Sequence, residues 1–379
     1  MVKYKFDDIA INSILKKKPT EEDKYTYIGL EHLDPGSLKV VRYGSEVAPK
    51  GEKLLMKKGD VLFGKRRAYQ KKVGIAPFDG IFSAHGMVLR PKENVIDKDF
   101  FPLFISSDYF LDAAIKISVG SLSPTINWKD LKELEFELPS MEKQRELAQI
   151  LWAAEETKQS YKSLLQKTDD LVKAKFEEMF GTIGKNEKGW EFTTLGKCCE
   201  LNPAKPKNIA DNLLVSFVPM QSVTEKGYID CSNIKKYKEV KNGYTYFAEN
   251  DVLFAKITPC MENGKGAIAK GLEGGIGFGS SEFYVLRPIA KKSTSYWLYF
   301  ITMFNSFRTN ARKVMTGTGG QLRVPLNYLD TFPICLPPIE LQKLFETFAQ
   351  QAELSKQKLQ KSLEQLNATT KALINENLK

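Results

Sequence analysis

Residues Gly59-Asp60-Val61-Leu62-Phe63-Gly64-Lys65 fit the spacing GxxxxGK, in which loop amides cradle nucleotide phosphates and the lysine reaches their outer oxygens. The next residue is Arg66, where a Ser or Thr hydroxyl would hold magnesium, and the Val-Leu-Phe centre reads as a strand. A second copy, Asn250-Asp251-Val252-Leu253-Phe254-Ala255-Lys256, lacks both glycines, so a nucleotide site is not expected. Asn202-Pro203-Ala204 and Asp34-Pro35-Gly36 begin like an amino-methylation motif and fail at the next position. Gly274-Gly275-Ile276-Gly277-Phe278-Gly279 has strand-like neighbours and reads as a bulged strand or turn rather than a phosphate cradle. No nuclease-like acidic pair followed by Glu-x-Lys stands out. His32 and His85 are the only histidines, which gives a Ser-His-Asp arrangement little to build on. Cys198, Cys199, Cys231, Cys260 and Cys335 contain no CxxC, so they read as small buried thiols, not as a zinc cage or a disulfide framework. The chain is expected to have no catalytic centre, metal or cofactor of its own.

Other residues suit nucleic acid. The richest basic stretch, Lys65-Arg66-Arg67-Ala68-Tyr69-Gln70-Lys71-Lys72, follows the Asp60–Phe63 strand. Arg bridges guanine edges, Gln pairs with adenine and Lys meets phosphates, so Lys65, Arg66, Arg67, Tyr69, Gln70, Lys71 and Lys72 are candidate DNA contacts. The matching stretch after Phe254 is less basic and offers Lys256, Thr258, Asn263 and Lys265. Two later loops, residues 118–127 and 316–323, offer Ser121, Gln321 and Arg323. The competing readings are solvated charged loops and turns feeding a helix start.

The elements that must position these residues come in two copies. Leu138-Pro139-Ser140-Met141-Glu142-Lys143-Gln144 opens a long charged stretch, and Leu336-Pro337-Pro338-Ile339-Glu340-Leu341-Gln342 opens another 198 positions later. Asp60-Val61-Leu62-Phe63 answers to Asp251-Val252-Leu253-Phe254, and Val88-Leu89-Arg90-Pro91 to Val285-Leu286-Arg287-Pro288. Self-similarity on this scale implies one module used twice, related by a pseudo-two-fold. The expected class is α+β: two similar globular domains, residues 1–138 and 182–335, joined by helical regions 139–181 and 336–379 that form an antiparallel coiled coil. Within the second domain the order predicts one helix over 293–314 and a loop over 316–323.

Both helical stretches lack an internal Gly or Pro. Phe345, Ala352, Leu359, Leu366 and Leu373 recur every seven residues in the second. Leu147, Ala154, Tyr161, Thr168 and Lys175 follow the same interval in the first, flanked by Ile150, Leu151, Leu164, Leu165, Leu171 and Val172. The first stretch leaves one module and reaches the other, while the second can only return, so they should pair antiparallel. About 40 residues rising ~1.5 Å each give a rod of about 60 Å. The net charge is +10, yet the first helical stretch carries 7 Lys/Arg against 8 Asp/Glu and the second 6 against 5. The surplus therefore sits on the globular parts, as a polyanionic partner would require. No apolar leader opens the chain, and the longest apolar run, 296–304, is too short to span a bilayer. The cytoplasm is the expected location, without membrane contact.

Two globular segments, each followed by an LP-x-x-x-x-Q helix, closely resemble the specificity subunit of type I restriction–modification systems. Leu138, Pro139 and Gln144, and Leu336, Pro337 and Gln342, match the two helix starts; Trp190 with Leu195-Gly196 resembles the usual start of a recognition domain. Lys143 and Leu341 stand where the family often has an acidic residue, and Tyr4–Ile9 lacks the Trp…Leu-Gly pattern. The resemblance implies a non-catalytic subunit with two target recognition domains, each reading one half of a split double-stranded DNA sequence. It implies two methyltransferase subunits as partners, bringing S-adenosylmethionine chemistry, and in the full complex restriction subunits that use ATP with magnesium. Rod length would then set the unspecified spacer. A structural adaptor with protein-binding modules is the alternative, separated from this reading by salt-sensitive DNA binding. A fused methyltransferase or nuclease lacks its motifs.

Overall fold

The computed structural model describes residues 1–378. It divides into two compact units, Met1–Ser163 with the chain from Gln360 onward, and Leu164–Leu359. Each holds one globular head and parts of both long helices.

In the first unit, Val2–Lys5 pairs antiparallel with Glu135–Leu138, and the one-turn helix Phe6–Ile9 buries Phe6 and Ile9. An antiparallel sheet follows in the order Ala10–Ser13, Met87–Pro91, Val61–Phe63, Val73–Ile75. Its central strands are apolar on both faces because both faces are covered. Val61, Phe63, Met87 and Leu89 join the core beneath the helices, whereas Leu62 and Val88 face a second sheet. That second sheet runs Lys16–Lys17, Lys53–Met56, Gly80–Phe82, Tyr27–Ile28, the last pair parallel. Helices Phe101–Ser106 and Asp108–Lys116 meet at Ser107, whose Oγ accepts from the Phe110 amide at 3.3 Å and so starts a new helix.

The second unit repeats this order. Glu191–Thr194 pairs with Pro333–Leu336, Leu195–Cys198 forms the one-turn helix, and the first sheet runs Cys199–Leu201, Phe283–Pro288, Val252–Ala255, Gly266–Ile268. The turn begun by Phe6 in the first head is begun by Leu195 here. Their amides donate to Leu134 O at 2.7 Å and to Phe332 O at 2.9 Å, so the first head makes the same turn without a Trp…Leu-Gly signature. In the second sheet, Thr245–Ala248, Ile276–Gly279 and Leu214–Val218 match the last three strands of the first head's sheet. The fourth strand differs. Lys16–Lys17 flanks one edge in the first head, and Ile234–Lys236 flanks the opposite edge in the second.

Two expectations are corrected. The helix over 293–314 is two helices, Ser295–Met303 and Asn305–Lys313, broken at Phe304 (φ −66°, ψ 141°), whose ring packs 5.0 Å from that of Phe176. No Gly or Pro announces this break; aromatic packing carries it. The loop over 316–323 is a hairpin, Thr316–Thr318 with Gln321–Arg323, closed by Gly319 and Gly320 at φ +60° and +76°, the mirror-image turn that suits strand twist.

The repeated motifs have structural jobs. Arg90 donates to Asp60 from Nε at 2.7 Å and Nη2 at 2.8 Å, and Arg287 donates to Asp251 at 2.8 and 2.7 Å. Each carboxylate also accepts the amide three residues before it, Lys57 and Ala248 respectively, at 2.8 Å. The Asp of DVLF and the Arg of VLRP are thus one bidentate ion pair made twice. Gln144 and Gln342 anchor the long helices, with 1% and 0% of their surface exposed. Gln144 Oε1 accepts from Asp97 N at 2.8 Å, and its amide donates to Pro139 O at 2.9 Å and Val95 O at 3.3 Å. Gln342 does the same with Thr294 N at 3.0 Å, Pro337 O at 3.0 Å and Lys292 O at 2.8 Å.

The long helices run unbroken over Met141–Phe180 and Ile339–Asn377. Within the first unit, Leu147, Ala148, Leu151 and Trp152 share a core with Leu373, Ile374 and Leu378. Within the second, the Phe176 and Phe180 rings lie 5.3 and 5.4 Å from Phe345, and Lys356 pairs with Asp169. In each unit the early part of one helix meets the late part of the other, so the pairing is antiparallel. The seam on the second helix takes Ala349 and Leu363 besides the seven-residue line. Ile150, Leu164 and Leu171, expected beside the seam, are 47%, 46% and 55% exposed and lie outside it, because 3.6 residues per turn carries them to the outer face. Among the described residues no helix is long and apolar enough to cross a membrane.

Replacing Gln342 with Ala strands an amide and two carbonyls in a dry site. We expect a loss of about 3 kcal/mol in denaturant unfolding, whereas exposed Lys343→Ala should stay within about 0.5 kcal/mol.

Candidate nucleic-acid interface

In each head the same three segments converge. The hairpin loop after the buried DVLF strand lies between the short loop before the VLRP strand and the segment that feeds the last short helix. In the first head, Ile126 N donates to Lys65 O at 3.0 Å and Arg66 N to His85 O at 3.3 Å. In the second, Val324 N donates to Lys256 O at 2.9 Å and Lys256 N to Glu282 O at 2.9 Å. Lys65 and Lys256 therefore occupy equivalent places, as do Ile126 and Val324.

The first of these sites is strongly cationic. Arg66 is exposed; its Nε donates to Ser123 Oγ at 3.1 Å, and its Nη1 lies 3.4 Å from His85 Nε2. Burial and the nearby Lys16 hold the Lys65 ammonium below the usual lysine range. Burial, then Arg66, Lys65 and Lys53, hold the His85 imidazole below its ordinary value. Among the described residues neither Lys65, Arg66 nor Arg67 has a carboxylate within ion-pair distance. Arg67 is exposed with φ +54°, Tyr69 is 56% exposed, Gln70 is half-buried, and Ser121 lies exposed beside Leu122, which is 94% exposed. Cations, an aromatic ring and amide or hydroxyl groups thus lie on adjoining loops of the first head.

Two residues of that loop are held inward. Lys71 donates to Asp108 and Asp112, both at 2.7 Å, and Asp108 also takes Lys371 at 2.7 Å. Lys72 donates to Leu30 O at 2.7 Å. Both lysines act as ties beneath the loop.

The second site is more balanced. Arg323 grips Glu282 with Nε at 3.0 Å and Nη2 at 2.7 Å, and its own charge is compensated there. Lys256 lies 4.7 Å from the Tyr284 ring centre, and its ammonium is pulled below the lysine range by burial. Thr258 Oγ1 donates to Gly320 O at 2.7 Å and accepts from Leu322 N at 3.0 Å, which fastens the loop to the hairpin. Lys265 Nζ reaches Met220 O at 3.4 Å. Asn263 and Gln321 are exposed and free to present amides. The structure thus brings Lys256, Thr258 and Arg323 together and leaves Asn263 and Gln321 at the rim.

His85 and Glu282 escaped the sequence reading. Both sit just before the VLRP strand, and the doubled landmarks could have pointed to that loop. Lys16 and Lys53, on neighbouring strands, carried no local signal.

The family described as "Type I restriction modification DNA specificity domain" matches residues 2–167 and again 187–365. The chain belongs to that family. Among relatives of this specificity-domain chain, the type I restriction enzyme EcoEI specificity subunit of Escherichia coli is 35% identical over 253 residues, covering 63% of this chain and 42% of that protein. The EcoAI specificity subunit of the same organism is 39% identical over 206 residues, covering 52% and 34%. The aligned part of the chain spans less than half the length of these curated relatives. Among solved structures, a chain from work on complex assembly and conformational transition of the type I R-M system superposes with a TM-score of 0.59 at 17% identity, covering 99% of this chain and 97% of that one. The type I restriction-modification S subunit from M. genitalium gives 0.58 at 14% identity, covering 100% and 96%. At these identities the likeness speaks for the fold.

His85 gives the interface a pH signature. Burial and then its cationic neighbours disfavour its proton in the free protein, and a bound phosphate would offset the neighbours and raise its pKa. Binding should then take up a proton, so affinity for duplex DNA should rise as pH falls toward the depressed imidazole pKa of the free protein. His85→Ala should flatten that slope in binding titrations at fixed salt.

Proposed function

We propose that the chain is the DNA-recognition subunit of a type I restriction–modification complex, reading a bipartite, asymmetric target with one half per head. The observation that carries this reading is the doubled site. The same three segments meet in both heads, with carboxylate-free cations in the first and exposed amides in the second. Phosphate contacts would fix each head on the duplex, and side chains at the rim would read base edges. The candidate contacts with free polar groups are Lys65, Arg66, Arg67, Tyr69, Gln70 and Ser121 in one head and Lys256, Asn263, Lys265 and Gln321 in the other.

The subunit performs no chemistry on this reading. Two methyltransferase subunits would supply S-adenosylmethionine-dependent methylation, and restriction subunits would supply ATP- and magnesium-dependent work. The complex would operate in the cytoplasm.

Co-expression with partner methyltransferase subunits, followed by mapping of methylated adenines, tests the reading. A two-part motif with an unspecified spacer is expected; a continuous motif, or none, rejects it. The unbroken helices also make a length prediction. Seven residues added to each helix lengthen it by about 10.5 Å, so the spacer should grow by about three base pairs at ~3.4 Å each. An unchanged spacer would contradict it.

A further inference from the structure

Arg308 is an anomaly in the second head. It sits on the helix Asn305–Lys313 with 7% of its surface exposed, and among the described residues no carboxylate pairs with it. Its Nη1 donates to Met261 O, its Nη2 reaches Lys265 O at 3.4 Å and lies 3.1 Å from Met303 Sδ, and its Nε has no partner. The guanidinium stands 5.0 Å from the Phe254 ring centre. Burial pulls its pKa down to about 10. An uncompensated cation in such a site is costly, and a hydrophobic side chain of similar volume would suit the core better.

The first head shows that the fold does not require it. Its corresponding helix, Asp108–Lys116, carries Leu111 at the fourth position, where the second helix has Arg308, and Leu111 is 4% exposed. What both helices share is a stripe turned toward the loop after the DVLF strand. In the first head Asp108 and Asp112 hold Lys71 of that loop. In the second the charges are reversed: Arg308 holds two loop carbonyls, and Arg312 pairs with Glu262 at 3.0 Å. The two carbonyls gripped by Arg308 bracket a five-residue tip, Met261–Lys265, with exposed Asn263 at its centre.

We propose that Arg308 is a specificity-determining positioning residue: by clamping both ends of Met261–Lys265 it fixes how Asn263 is offered to the second half of the target. The proposal rests on the reading of the heads as DNA-binding. It goes further in assigning base discrimination to a buried side chain that never touches DNA.

The test maps methylated motifs for the full chain with its partner subunits, as wild type, Arg308→Leu, Arg308→Lys and Asn263→Ala. Leu is the first head's own choice at this position, and melting of each variant reports on folding. We expect Arg308→Leu to lower discrimination between cognate and single-base-substituted sites about tenfold in one half only. Asn263→Ala should relax the same half, and Arg308→Lys should regain part of the discrimination. Unchanged discrimination in Arg308→Leu, or equal relaxation of both halves, overturns the proposal while leaving the DNA-reading assignment standing. A wild type that yields no bipartite motif removes that assignment, and this proposal with it.

Discussion

Two buried glutamines hold the plan of this protein together. Gln144 and Gln342 each join three backbone groups from two segments: the helix start that carries them, and the short stretch before the head's paired helices, Val95–Asp97 in one head and Lys292–Thr294 in the other. A long helix leaving a globular head is a lever, and a lever with a loose root cannot hold a binding surface in register. A neutral amide suits the task because it offers a donor and an acceptor at once, with no charge to desolvate. The bidentate Asp60–Arg90 and Asp251–Arg287 pairs do the same for the central sheet, tying its inner strands on the side away from the reading loop.

On that shared frame the heads differ where function would need them to. Both keep the doubly covered central sheet and the three-segment convergence. They differ in the edge strand of the second sheet, in the charge of the loop, and in the sign of the helix stripe that braces it. Lys71 on Asp108 and Asp112, against Arg308 on loop carbonyls, shows one mechanical problem solved with opposite charges. The solutions are not interchangeable. A first-head loop set on a second-head helix would leave Lys71 facing Asn305 and Thr309, which stand where Asp108 and Asp112 do, with no acid to receive it. Loop and bracing helix must therefore change together.

Much of this was legible in the residues, for identifiable reasons. Repeats at fixed offsets survive because Asp60–Arg90 and Gln144 have geometric partners that tolerate no substitute, and such residues leave the same letters in both copies. Long uninterrupted apolar periodicity marked the paired helices. The break at Phe304 was not legible, since an aromatic ring docking on Phe176 leaves no local sign. The hairpin at Gly319-Gly320 could have been read from its two glycines. Candidate contacts were legible as types but not as roles. Lys71, Lys72 and Arg323 look like free cations in a basic stretch, yet the acids and carbonyl that occupy them come from residues far along the chain. His85 joined the site through folding alone.

With the reading site built separately in each head, each head should read its own half of the target independently. The most direct measurement is a binding titration of Arg66→Ala/Arg67→Ala against duplexes that retain only one correct half. Binding to one half-site should weaken while the other is unaffected. Equal weakening on both halves, or none on either, would contradict it.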